Sequence, residues 1–123
     1  MQLTENFNSY EFNCNDGTPV PQKYDINMSK LALNLQVLRD EIGEPLRILS
    51  AYRYPEYNKK IGGAESSQHL LCKAADITCK SYTPAQLAEI IERLIAKGVM
   101  RQGGIGIYPG FVHYDMRGVK ARW

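Results

Sequence analysis

No stretch of this sequence stays apolar for the roughly 20 residues that a membrane-spanning helix requires. Basic runs are also missing, and the formal net charge is only +2, too little to draw nucleic acid. A charge of that size serves solubility and gives at most a mild attraction to an anionic polymer. There is no low-complexity tract and no internal repeat, so neither a disordered tail nor a solenoid is expected. The opening residues, MQLTENFNSYEF, lack the basic and apolar regions of a secretory signal, which predicts a chain that is cytoplasmic as synthesised. Cysteine is scarce. Cys14, Cys72 and Cys79 are odd in number and form no close CxxC pair, which argues against a disulfide framework and against a cysteine-built structural zinc site. They read as buried free thiols, a single cysteine ligand to a metal being the other option.

What is present describes one ordinary globular unit. At 123 residues the chain fits a single domain spanning 1–123. Residues 1–26 carry the turn signals Asn15-Asp16-Gly17 and Pro19-Val20-Pro21 and read as an irregular arm anchored by Phe7, Tyr10 and Phe12. Leu31, Leu35, Leu38 and Ile42 form one apolar stripe, predicting a helix over roughly 27–42 that Gly43 and Pro45 stop. Leu46–Ser50 reads as a strand, 51–68 as a loop and Ala74–Thr78 as a second strand. Thr83, Pro84 and Gln86 make a capping box with proline at the first helical position, predicting a helix over roughly 84–97 that buries Leu87, Ile90, Ile91, Leu94 and Ile95. Gly103, Gly104 and Gly106 then lead through Ile105 and Ile107 to a last strand over about 111–117. The order predicts an α+β fold, helices packed on a small antiparallel sheet.

The chain has two histidines, and each sits in an unusual setting. His69 ends a polar loop and lies seven residues before Asp76, a carboxylate flanked by Ala74, Ala75 and Ile77. Burying that carboxylate is costly unless it meets a cation: a metal ion, or an arginine in a buried salt bridge. In the strand around His113, alternation puts Val112, Tyr114 and Met116 on an apolar face and Phe111, His113, Asp115 and Arg117 on the other. That second face is either the solvated side of an edge strand or one wall of a cleft. Two imidazoles and a carboxylate, His69, Asp76 and His113, are the kind of donor set that holds a catalytic zinc with one position open for water. Zinc lowers the pKa of such a water to about 7.

At these residues the chain resembles the zinc D-alanyl-D-alanine carboxypeptidase family, which includes phage and bacterial L-alanyl-D-glutamate peptidases and D,D-peptidases and whose fold is related to the Hedgehog signalling domain. The family pattern is Ser-x-His-x-x-Gly-x-Ala-x-Asp, followed some forty residues later by a second histidine on a strand. Ser67, His69, Ala74 and Asp76 match it, and His113 falls at the right distance. Ser50-Ala51-Tyr52-Arg53, Asn58 and Ile61-Gly62-Gly63-Ala64 resemble a subgroup with a Phe-Val-His-x-Asp-x-Arg ending. The resemblance implies that His69, Asp76 and His113 ligate zinc. It also implies that Arg53 holds substrate and stabilises the developing oxyanion, and that Ser67 helps to bind substrate. A loop-tethering salt bridge for Arg53 and a cap hydroxyl for Ser67 are the plainer alternatives.

Two positions depart from the pattern. Cys72 stands at the family glycine, and an ordinary, negative φ is expected there. Many relatives carry a general base two or three residues before the second ligand histidine, where this chain has Gly110 and Phe111. Asp115 is the nearest carboxylate, either the base or a group that orients a ligand. The implied function is zinc-dependent hydrolysis of a stem-peptide amide in peptidoglycan, as a carboxypeptidase or endopeptidase, for example in a phage lysin. The competing implication is a catalytically inactive, zinc-containing module that binds the cell wall or forms part of a virion. The partner in either case is peptidoglycan peptide, with no nucleic acid and no membrane span, and a monomer is expected.

Overall fold

A computed structural model describes residues 1–123. Three helices, α1 (Asp25–Ile42), α2 (Pro55–Lys60) and α3 (Pro84–Ala96), accompany five strands. The strands are β1 (Arg47–Ser50), β2 (Ala74–Thr78), β3 (Gly104–Ile107), β4 (Val112–Asp115) and β5 (Ala121–Arg122), in sheet order β1-β2-β4-β3-β5. The expected α+β layering is present. The sheet is mixed rather than wholly antiparallel, because β5 returns to pair in parallel with β3. No helix is long and apolar enough to cross a membrane.

The apolar stripes do what their spacing predicts. Leu31, Leu35, Leu38 and Ile42 of α1 are buried, and so are Leu87, Ile90, Ile91 and Leu94 of α3, while Ile95, expected on the same face, is only half-buried. Gly43 ends α1 in the left-handed conformation at φ 69°, which glycine adopts without a Cβ clash. The Thr83–Gln86 capping box opens α3. These helices share a core with one face of the sheet, formed by Ala75, Ile77, Ile105, Val112 and Tyr114. The arm contributes Phe7 and Phe12 to that core, but Tyr10 is 68% exposed and anchors nothing. The arm also contains short 3₁₀ turns at Ser9–Phe12 and Gln22–Tyr24.

Three further outcomes differ from the sequence reading. The predicted loop 51–68 holds α2, which Pro55 opens at its first position. Two residues, Ala121 and Arg122, form β5 where no strand was expected. Cys72 has φ 55° and ψ 38°, so the expected ordinary φ is wrong. It closes a 3₁₀ turn, Gln68–Leu71, in the left-handed region that the family's glycine suits. Its thiol is fully buried, and burial pushes it up to about 12. Cys14 is also a buried free thiol, and Cys79 is half-buried.

Pairing register decides which residues meet on the face away from the helices. Asp76 of β2 stands opposite His113 of β4, which stands opposite Gly106 of β3. Ser50 of β1 completes this row beside Asp76. A slip of one residue would turn every one of these side chains to the opposite face.

Candidate functional site

Asn58, His69, Asp76, His113 and Asp115 are the only buried polar or charged side chains in the protein, and all five lie in one connected network. No buried side-chain nitrogen or oxygen lacks a partner. Burying so much polarity in one place costs stability even when every group is partnered, and it is at functional sites that such clusters gather.

Local structure seats each donor. His69 lies on the 3₁₀ turn between Ser67, whose Oγ accepts the His69 N–H at 3.2 Å, and left-handed Cys72. The Arg53 N–H donates to the His69 carbonyl at 3.1 Å, tying the segment after β1 to the same turn. Asp76 and His113 are fixed by their strands. One atom each from His69, Asp76 and His113 lies within 4.8 Å of the others, and all three residues are buried. His69 Nε2 is 3.3 Å and His113 Nδ1 is 3.2 Å from the same Asp76 oxygen.

The far side of each imidazole fixes what faces inward. His69 Nδ1 lies 2.7 Å from the Ala51 carbonyl, which only accepts, so Nδ1 carries the hydrogen. His113 Nε2 lies 2.7 Å from an Asp115 carboxylate oxygen, so it too is the N–H. In neutral imidazoles, the inward nitrogens are then bare lone pairs aimed at a carboxylate oxygen. Lone pairs that converge in this way repel unless a cation sits among them. Zinc bonds of about 2.0–2.1 Å in tetrahedral geometry place ligand atoms roughly 3.3 Å apart, which is the distance of each histidine nitrogen from the shared Asp76 oxygen. The donor set therefore fits a zinc ion.

Without a cation, an inward imidazole N–H donating to Asp76 is the alternative that relieves this repulsion, and the titration shifts describe that metal-free state. Burial by itself would raise the Asp76 pKa, but hydrogen bonds and charge from His113 and His69 outweigh it and hold the carboxyl well below its usual range. Burial would lower that of His113, yet its hydrogen bonds to Asp115 and Asp76 raise it.

Around the trio lies a cleft of about 420 Å³, with Arg53, Ser67, Tyr108, Phe111, Arg117 and Trp123 among its walls. Arg53 donates to Ser50 Oγ (3.2 Å), Asn58 Oδ1 (3.3 Å) and Asp76 Oδ2 (3.3 Å). It is thus both a wall of the cleft and a partner of Asp76, and Ser67 is both a wall and a cap. Asp115 is different: it is fully buried and does not line the cleft. Its carboxylate accepts from Gly104 N–H (2.9 Å), from the backbone, Nε and Nη2 of Arg117 (3.1, 2.9 and 2.7 Å) and from His113. Burial alone would raise its pKa, but the bonds from His113, Arg117 and Gly104 hold it well below the carboxylate range.

The sequence reading missed the glycines that make room for these groups. A Cβ on Gly104 would overlap the Asp115 carboxylate, and one on Gly106 would overlap the Trp123 indole. Alternate glycines within one strand are the signal for such close approach. Trp123 tilts over His113 with ring centroids 5.0 Å apart, and its Nε1 donates to the Tyr108 hydroxyl at 2.7 Å. Tyr108 in turn stacks on Phe111 at 4.7 Å.

Among curated protein sequences none matches the chain. A family model described as Peptidase M15 matches residues 5–115. That span takes in Arg53, both histidines, Asp76 and Asp115, and covers most of the chain, which therefore belongs to the peptidase M15 family.

Proposed function

We propose that this chain is a zinc-dependent peptidase that cuts an amide of the peptidoglycan stem peptide, with His69, Asp76 and His113 as the metal ligands. The observation that carries the reading is the tautomer lock. The Ala51 carbonyl and the Asp115 carboxylate each stand behind one histidine as an acceptor for its outer N–H, which in a neutral imidazole leaves a bare nitrogen toward Asp76 for a metal. When bound, zinc supplies a Lewis acid for the scissile carbonyl and lowers the pKa of a water to about 7.

The chain's own groups do the rest. Arg53 is held by three acceptors on the cleft wall and offers positive charge where negative charge develops on the carbonyl oxygen. Ser67 fixes the His69 turn and presents its polar edge to the peptide. Asp115 acts as a positioning residue. A general base must touch the reacting water and have a pKa near the working pH. A fully buried carboxylate held ionised by five donors meets neither need, whereas it suits orientation of a ligand histidine.

One observation favours the competing reading, a module that binds cell-wall peptide without cutting it. Asp76, itself a ligand, is the only carboxylate lining the cleft. The same experiment separates the two. Purified protein, dialysed and assayed for metal, should hold about one zinc per chain, and His113→Ala should hold none. Digests of purified peptidoglycan should contain shortened muropeptides by mass spectrometry. A chelator should stop their release, and added zinc should restore it. Zinc-loaded protein that binds the wall yet releases no fragment decides for the binding module. Mass spectrometry also identifies the amide cut, and with it whether the enzyme trims an end, as a carboxypeptidase, or cuts internally, as a phage lysin would.

A further inference from the structure

We propose that Asn58 is the positioning residue of Arg53: its buried amide fixes the guanidinium against the cleft wall formed by Gly62, Gly63 and Ala64. The consequence for catalysis rests on the peptidase reading above, whereas the positioning itself does not.

Among the five buried polar side chains Asn58 is the one that cannot ionise. It does not line the cleft but lies behind its wall, on α2, only 3% exposed. Both ends of its amide are committed. Oδ1 accepts from Arg53 Nη1 at 3.3 Å, and Nδ2 donates to the Ala64 carbonyl at 2.8 Å. Turning the amide over would set its NH₂ against the guanidinium and its oxygen against the carbonyl, so one orientation is fixed. The backbone repeats the link, because the Asn58 carbonyl accepts the Gly63 N–H at 2.8 Å. A Cβ on Gly63 would overlap Oδ1, so glycine is what lets wall and amide come this close.

The other two acceptors of the guanidinium, Ser50 Oγ and Asp76 Oδ2, belong to β1 and β2 and hold Arg53 to the sheet. Asn58 is the side chain that joins it to the wall. Arg53, Gly62, Gly63 and Ala64 all line the cleft, so a substrate there meets a charge and a backbone whose spacing one amide sets. A neutral amide also suits the charge. An aspartate would hold Nη1 as well, but its second oxygen would oppose the Ala64 carbonyl. Its charge would also offset the one that Arg53 offers to a developing oxyanion.

Nuclear magnetic resonance of the zinc-loaded, nitrogen-labelled protein reads the guanidinium directly, the Arg53 signals being those that Arg53→Lys removes. Rotation about the Nε–Cζ bond exchanges Nη1 with Nη2. Asn58→Ala should speed this rotation at least about tenfold, as the loss of one charge-assisted hydrogen bond implies. Asn58→Leu keeps the volume without the polar atoms and carries the test should the alanine variant fail to fold. Asn58→Asp restores an acceptor for Nη1 and should return the rotation to the parental rate or below. With a soluble muropeptide, Asn58→Ala should lower kcat about tenfold and leave KM within about threefold. In the Arg53→Lys background the same change should alter kcat by less than about twofold, because Asn58 acts through the Arg53 fork. A residue that merely holds the fold together would cost the same factor in both backgrounds. The proposal is overturned if removing the amide leaves the rotation at its parental rate, if aspartate fails to slow it, or if the kcat loss persists undiminished beside Arg53→Lys. Should no protein, the parent included, release fragments, the peptidase reading falls and the rotation rates alone decide this one.

Discussion

Replacing Asp115 with Asn tests whether that carboxylate orients a ligand or takes a proton. Asp115 accepts five hydrogen bonds through two oxygens. Asn keeps one acceptor oxygen and puts an NH₂ donor where the other stood. If the NH₂ takes the Oδ2 position, it faces the His113 N–H and Arg117 Nη2, donor against donor. His113 then escapes by moving its hydrogen to Nδ1, the nitrogen that must stay bare for a metal. If the amide flips, the NH₂ faces the buried Gly104 N–H instead. In either pose a buried donor is left unmatched, at about 1–3 kcal/mol, and charge-assisted bonds worth about 1.5–3 kcal/mol each become neutral ones. Arg117 is partly exposed and recovers some of its loss from water. The net cost should be about 3 kcal/mol in stability, with zinc affinity lowered about 10- to 100-fold. Denaturant unfolding of metal-free protein measures the first, and competition with a chelator of known affinity measures the second. A general base predicts the opposite pattern: parental stability and zinc affinity with hydrolysis gone. That result would refute the positioning role.

Other outcomes follow from the same geometry. At Cys72 a left-handed backbone costs a non-glycine residue roughly 1–2 kcal/mol, so Cys72→Gly should be at least as stable as Cys72→Ala although it removes more buried surface. Denaturant midpoints check the order, and alanine clearly above glycine would show that the position is not strained. A Cβ on Gly63 would overlap Asn58 Oδ1, the acceptor for Arg53 Nη1. Gly63→Ala should therefore displace Arg53 and lower kcat/KM by up to about 10²-fold, with circular dichroism unchanged; parental activity would contradict it. Tyr114 is held above its ordinary value, first by burial and then by the Asp115 charge. The unfolded chain thus releases this proton first, from about pH 10, so stability is full below that pH and falls above it by up to about 1.4 kcal/mol per unit. Tyr114→Phe should flatten this part of the alkaline limb in pH-dependent unfolding.

Much of the fold was legible because its signals are local. The stripe of α1, the capping box of α3 and the apolar run of β2 lie in short windows, and their elements formed where those windows predict. β5 was not legible: two residues carry no periodicity, and Ala121 and Arg122 form a strand only because β3 offers them a free edge. α2 was hidden because Gly62 and Gly63, just past its C-cap Ile61, read as loop, although Pro55 marks its start. Tyr10 failed as an anchor because an aromatic residue in a 3₁₀ turn is buried or exposed according to the direction of the turn, which composition does not encode.

The site was legible in its donors and illegible in their support, and the difference has a physical cause. An imidazole or a carboxylate among apolar residues announces itself, since its burial needs a reason. The groups that orient it are often backbone or the absence of a side chain. The Ala51 carbonyl that fixes the His69 tautomer belongs to a residue whose side chain is a methyl group. The seat of Asp115 is the missing Cβ of Gly104, and that of Trp123 is the missing Cβ of Gly106. Cys72 shows the limit of reasoning from residue type alone. Cysteine favours an ordinary φ, yet the 3₁₀ turn that carries His69 must reverse into β2 within two residues, and the backbone accepts left-handed strain to do so. The turn that carries His69 thus overrides the local preference of Cys72, and backbone strain of this kind gathers at functional sites.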